Sequence, residues 1–244
     1  MRKIKSVTSM VLIITMLFAC CSCKANETTS TLSGLTMNDY RAIEDGEAVV
    51  LEGYVQDKES LREATYCSFY IQTNDGGAYV YEAAVGEQLY SDLKEGTHVR
   101  VSGTKVYWSG LPEIKNATVE IVGKDTFTAP YIEIGGLKDP SVFLNARVQI
   151  ENAAVKVMSS GKAVEHGFAD QGKSGDSLYF CVSGGSGNSA VTVNCIVDTN
   201  LVQSGSEIYT LAEGLTGGRS VSVSGVLSLS GDSYLIRITG ITIK

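Results

Sequence analysis

Val99-Arg-Val-Ser-Gly-Thr-Lys-Val106 returns 122 residues further on as Val221-Ser-Val-Ser-Gly-Val-Leu-Ser228. Each copy leads into a Ser-Gly pair, Ser109-Gly110 or Ser230-Gly231. A closing run of alternating character follows, Thr118-Val-Glu-Ile-Val122 or Gly240-Ile-Thr-Ile-Lys244. Alternation with period two is strand spacing, because successive side chains leave a strand on opposite faces. Solenoid repeats recur at roughly 20–50 residues. A repeat at domain length therefore points to two copies of one globular module.

Outward from the first copy, the other strands of that module are legible by the same alternation. Val49-Val-Leu-Glu-Gly-Tyr-Val55 sets Val49, Leu51 and Val55 on one face and Glu52 and Tyr54 on the other. Ser68-Phe-Tyr-Ile-Gln72 turns Phe69 and Ile71 inward. Asn74-Asp-Gly-Gly77 is a hairpin signal, and Ala78-Tyr-Val-Tyr81 is the return strand. A helix is predicted over Val85–Leu93, and His98-Val-Arg-Val-Ser102 follows with Val99 and Val101 inward. Ahead of the strands, Thr36 is placed as the N-cap of a short helix through Ile43, with Asp39 in its first turn.

The order β-β-β-α-β-β fits a five-stranded Greek-key barrel of the OB-fold type. Glu52-Gly-Tyr-Val55, Phe69-Tyr-Ile-Gln72, Gly76-Gly-Ala-Tyr-Val80, Leu93-Lys-Glu-Gly96 and Val99-Arg-Val-Ser-Gly103 resemble the OB-fold modules that accompany extracellular bacterial nucleases and occur in bacterial surface lipoproteins. The resemblance spans nearly all of 36–122. It implies the fold more than any activity, because these positions specify the barrel.

The second module repeats the order more loosely. Ala146-Arg-Val-Gln-Ile150 stands for its first strand, and Leu178-Tyr-Phe-Cys-Val182 with Ala190-Val-Thr-Val-Asn194 for its hairpin. Insertions near 156–176 and 198–218 lengthen it. The expected fold class is all-β with short helices: two tandem OB-fold barrels, at 36–123 and 138–244, joined by a linker at 124–137.

The first residues read as an export signal. Arg2, Lys3 and Lys5 precede the apolar run Met10–Ala19, which is too short for a span of about 20 apolar residues. Leu17-Phe-Ala-Cys20 resembles the bacterial lipoprotein box. That resemblance implies cleavage before Cys20 and a diacylglyceryl group, carrying acyl chains such as palmitate, on its sulfur. Cys21 and Cys23 are competing sites, and Cys23 would set Cys20 where an aliphatic residue is expected. The signal peptide is thus placed at 1–19, a flexible tether at 20–35, and the protein at the extracytoplasmic face of the cell membrane.

The chain carries 20 Lys+Arg against 27 Asp+Glu, a net charge of −7. Losing three basic residues with the signal leaves 17 against 27, or −10. The acid excess is concentrated in the first module, with 8 basic and 15 acidic residues over 40–125. Such a surface repels phosphate backbones at long range. Beyond the N-terminal group lie Cys67, Cys181 and Cys195. The last two sit on neighbouring predicted strands, where a disulfide competes with free thiols. Symmetric pairing would set Cys181 near Thr192. No Cys-x-x-Cys occurs in the body and only His98 and His166 are present, so neither a metal nor a cofactor is expected.

No Gly-x-Ser-x-Gly elbow, His-Glu-x-x-His helix or phosphate-cradling loop occurs, and no catalytic residue is assigned. The candidate ligand residues are aromatic. OB-folds bind across strands 2 and 3 and the loops beside them. The alternation that sends Phe69 and Val80 inward sends Tyr70, Tyr79 and Tyr81 outward, and Tyr107 and Trp108 follow the fourth strand. Aromatic faces stack on bases at about 1–3 kcal/mol each and also cover sugar rings. These residues could equally pack beneath the helix or against the second module. The second module keeps only Tyr179 of the set. The function expected is that of a monomeric, non-catalytic binding module. It would bind an oligosaccharide or single-stranded nucleic acid on Tyr70, Tyr79, Tyr81 and Trp108. The alternative is a protein–protein scaffold in the cell envelope.

Overall fold

The structure is a computed structural model that describes residues 35–167, 175–185 and 190–244. The signal peptide, Cys20 and nearly all of the tether lie outside the described residues. Both modules fall within one compact unit, Thr31–Lys244.

Helix α1 (Met37–Ala42) starts at Thr36. The Thr36 hydroxyl accepts from the Asp39 amide while the Asp39 carboxylate accepts from the Thr36 amide, a reciprocal capping box. Its buried side, Met37 and Tyr40, lies over the first barrel. Its carbonyl end is held by Lys105, a fully buried lysine. The Lys105 ammonium donates to the carbonyls of Tyr40, Arg41 and Ile43 at 2.9, 2.8 and 2.6 Å. Three donors thus meet three acceptors at the negative end of a helix.

Strands β1 (Ala48–Lys58), β2 (Tyr66–Thr73), β3 (Gly76–Ala84), β4 (Thr97–Trp108) and β5 (Leu111–Thr126) close in the order β1-β2-β3-β5-β4. All neighbours are antiparallel except β3 and β5, which run parallel through Tyr79↔Glu113 and Val80↔Ile114. Helix α2 (Gly86–Asp92) bridges β3 to β4. The inward set read from alternation (Val49, Leu51, Val55, Phe69, Ile71, Ala78, Val80, Val99, Val101) forms the core. After β5, β6 (Ile132–Glu133) pairs parallel with β7 (Arg147–Lys156) of the second barrel.

The second barrel closes through β7, β9 (Leu178–Gly184), β10 (Val191–Val197), β12 (Ser233–Ile243) and β11 (Ser220–Ser230). The short β8 (Val164–His166) is added beside β9, and α3 (Glu207–Glu213) bridges β10 to β11 as α2 bridges β3 to β4. Again a single parallel pair, β10 with β12, occurs in the ring. The chain is two tandem five-stranded OB-fold barrels.

Equivalence holds residue by residue at the repeat. Val99 pairs with Ile121 and Val221 with Ile243; Val101 pairs with Val119 and Val223 with Ile241. Both hairpins then break register around Gly103 and Gly225. A Cβ on Gly103 would lie 2.7 Å from the Lys115 carbonyl oxygen, and one on Gly225 2.0 Å from that of Arg237. The glycine in each Val-x-Val-Ser-Gly therefore permits the bulge.

All three body cysteines are free. Cys181 pairs across the ladder with Asn194, and Cys195 with Phe180; Thr192 faces Ser183 instead. Pairing stands two residues from the symmetric expectation, an even slip that changes no side chain's face, and Cys195 points into the core and Cys181 to the opposite face. Its thiol donates to the Asn194 side-chain oxygen. Period-two geometry thus prevents the disulfide.

Candidate ligand-binding surface

Tyr70 and Tyr79 face each other across the β2–β3 ladder, with ring centroids 4.7 Å apart and stacked. Tyr81 follows on the same face, 6.3 Å from Tyr79. The predicted aromatic row therefore exists. Its first two members, however, are covered by the second barrel: Tyr70 is 1% exposed and Tyr79 6%. They pack with Leu111, Val226 and Leu144.

A guanidinium seals this contact. Arg237, on β12, donates to the Tyr70 hydroxyl and pairs with Glu59 at 2.7 Å and Asp198 at 2.6 Å. Tyr79 donates to the same Glu59 oxygen at 2.9 Å. Burial pushes the Tyr70 hydroxyl up to about 12 and the Tyr79 hydroxyl higher still, so both stay neutral, Tyr70 accepting from Arg237 and Tyr79 donating to Glu59. Tyr70 and Tyr79 offer no free ring face to a ligand in this arrangement. Outward alternation marks a side chain as leaving its own barrel; it does not say that another barrel waits there.

The remaining members of the row stay open. Trp108 is 66% exposed at the tip of the β4–β5 hairpin, beside exposed Tyr107. Ser109 and Gly110 make the turn with φ of 49° and 84°, and Trp108 pairs with Leu111 across it. Tyr81 and Trp108, with Glu113 and Lys115, line a cavity of about 160 Å³. Parallel pairing of β3 with β5 explains the grouping. Tyr79 lies beside Glu113, so two residues further along each strand Tyr81 comes beside Lys115.

Lys115 and Glu113 complete the site, and neither belongs to the set predicted from sequence. The Lys115 ammonium lies 4.8 Å from the Tyr81 ring centre, 5.1 Å from that of Trp108 and 3.5 Å from Glu113 Oε2. Glu113 is 4% exposed, and among the described residues its buried Oε2 has no hydrogen-bond partner. Burial raises its pKa, and the Lys115 charge opposes the rise. The spacing Glu113-x-Lys115 just after an aromatic hairpin was the available signal, since period two puts both on one face.

The corresponding face of the second barrel carries Tyr179, half-exposed, in a cleft of about 320 Å³ with Met158, His166, Cys181 and Asn194 among its lining. Among the described residues, no group of three or more His, Cys, Asp or Glu is placed to hold a metal ion.

No protein-family model matches this chain. No curated protein matches it either. Among solved structures, the p204 HINb domain is similar with a TM-score of 0.34 at 11% identity, over 83% of this chain and 100% of that one. A murine DNA binding protein bound with double-stranded DNA gives 0.35 at 11% identity, over 80% and 97%. A deletion mutant of the single-stranded DNA binding protein from Thermus aquaticus gives 0.31 at 11% identity, over 83% and 96%. Likeness of this degree says nothing about what this chain binds; the closure of its own two barrels carries the fold assignment.

Proposed function

We propose that the protein is a non-catalytic binding module, anchored at the extracytoplasmic face of the membrane through lipid on Cys20. Its contact site is the open cavity at Tyr81 and Trp108. The observation that carries this reading is the contrast along one aromatic row: two rings are sealed by Arg237, and the next two line a cavity. A tryptophan 66% exposed at a hairpin tip buries little for its own barrel, whereas at a ligand it supplies a large flat face.

A sugar suits the site better than a nucleic-acid strand. The cavity is short, its one lysine is engaged by Glu113, and the net charge is −7. Single-strand binders combine successive stacking rings with a basic groove, and here half of the row is covered.

A second reading, a protein–protein scaffold, is favoured by the two exposed aromatics Tyr107 and Trp108 at the end of β4, because exposed aromatic anchors dominate protein interfaces.

Trp108 is the only tryptophan, so its fluorescence reports on this site alone. Titrating the protein with cell-wall oligosaccharides and with oligo-dT separates the cases. A saturable change with a glycan, abolished in Tyr81→Ala, supports the proposal. A response to oligo-dT alone, falling steeply with salt, replaces the sugar by nucleic acid. No response to either, with a protein partner retained through Trp108, leaves the scaffold.

A further inference from the structure

The cavity beside Trp108 already holds a cation, and that cation belongs to the protein. Two aromatic rings and a buried carboxylate surround the Lys115 ammonium at the separations given above, all on the outer face of three adjacent strands. Cations over ring faces within about 6 Å are attracted by the ring quadrupole. Desolvation strengthens that attraction, and a carboxylate at the base adds a full charge. Glu113 is the unusual member. A carboxylate that is 4% exposed and leaves Oε2 without a hydrogen bond among the described residues is costly to keep. Lys115 offsets only part of that cost, since its side chain is 31% exposed and 3.5 Å away.

The geometry points to an alkylammonium-binding site formed by Tyr81, Trp108 and Glu113, in which Lys115 is an internal stand-in that a ligand cation displaces. Lys115 has somewhere to go, because β5 borders solvent here and its stem can swing outward. The incoming group is a substituted ammonium, either the quaternary head of a choline-type substituent or the primary amine of an amino sugar. This rests on the proposed binding role of the same cavity and names the chemistry of its ligand. The equivalent residue of the second barrel, Arg237, already satisfies two carboxylates and Tyr70, so the site is particular to the first barrel.

The test uses the full chain in detergent at fixed ionic strength, with Trp108 fluorescence and calorimetry as readouts. Choline and glucosamine are titrated beside their neutral counterparts, 3,3-dimethylbutan-1-ol and glucose. A saturable response to either cation, at least about tenfold tighter than to its neutral counterpart, is expected, and the responding cation identifies the source. Lys115→Ala should then tighten cation binding by about three- to tenfold, because it removes the competitor. Glu113→Gln, nearly isosteric, should weaken it by about tenfold or more. Equal binding of cation and neutral counterpart, or weaker cation binding in Lys115→Ala, overturns the inference. If neutral glycans bind while both cations fail, the inference falls and the sugar-binding reading stands; if nothing binds, both fall.

Discussion

Lys115 and Arg237 occupy the same position in two copies of one barrel, 122 residues apart, yet their surroundings give them different work. Arg237 is buried and bonded to Glu59, Asp198 and Tyr70, whereas Lys115 is partly exposed over two rings. Removing one partner from a buried charge network leaves the others unpaired, which typically costs about 3–5 kcal/mol. Arg237→Ala should lose stability on that scale in urea unfolding, and Lys115→Ala less, because Lys115 is partly exposed and Glu113, already raised by burial, can take up a proton once the lysine is gone. Equal losses would mean that Glu59 and Asp198 are not desolvated as described. Glu113 gives a pH signature of defined sign. Its folded pKa lies above the ordinary carboxylate value of 4.5, first because it is buried. From that value upward to the folded pKa, the folded chain binds more protons than the unfolded one. Stability therefore falls as pH rises through that window, and the loss persists above it. Glu113→Gln removes this term. The variant should gain on the wild type between pH 4 and pH 7, read as the difference in urea midpoints. A loss over the same interval would place the carboxylate in a better-solvated or better-paired setting.

The β4–β5 and β11–β12 hairpins show which sequence signals transfer to structure. Alternation transfers fully, because an inward valine displaced by one residue would face water. The Ser-Gly pairs transfer less well. Ser109-Gly110 makes the first turn, but Ser230 pairs with Ser233, so the second turn is Gly231-Asp232, at the positions equivalent to 109–110. Register comes from Val99↔Ile121 and Val221↔Ile243 and their successors, and the turn composition follows it. Gly103 and Gly225 carry a sharper requirement, since each faces the backbone of the partner strand where the bulge brings it close. Gly103→Ala and Gly225→Ala should both destabilise, by about 1–3 kcal/mol as overpacking does. Gly225 should show the larger loss because its added carbon would sit at 2.0 Å against 2.7 Å. Urea midpoints of the two single variants give the ranking. The reverse order would show that the β12 backbone yields more readily than the packed side chain of Ile114, which also crowds Gly103.

At the scale of the whole chain, the acid excess of the first module finds its counterpart in arginines of the second. Asp57 and Glu59, two residues apart at the end of β1, each receive one guanidinium. Arg147 pairs with Asp57 at 3.1 Å and also reaches Glu95, while Arg237 takes Glu59. Composition registers such an imbalance, but single charges far apart along the chain carry no mark of pairing. For the same reason the fate of Tyr70 and Tyr79 was illegible while their outward direction was plain. The backbone approach is close as well. A Cβ on Gly77 would lie 2.0 Å from the Asn145 carbonyl oxygen, and Asn145 in turn donates from its side chain to the Pro112 carbonyl. Gly77 lies on β3 at a backbone conformation open to alanine, so Gly77→Ala acts on the docking rather than on the first barrel's interior. If these contacts couple the barrels, the wild type should melt in one calorimetric transition. Gly77→Ala should split it in two, with each barrel still folded at 25 °C by circular dichroism. It should also free Tyr70 and Tyr79 to ionise nearer the ordinary tyrosine value of 10.0, visible in an ultraviolet pH titration. One transition at an unchanged midpoint would mean that the barrels are coupled by the arginine clamps alone, and that Asn145 gives way to the methyl group.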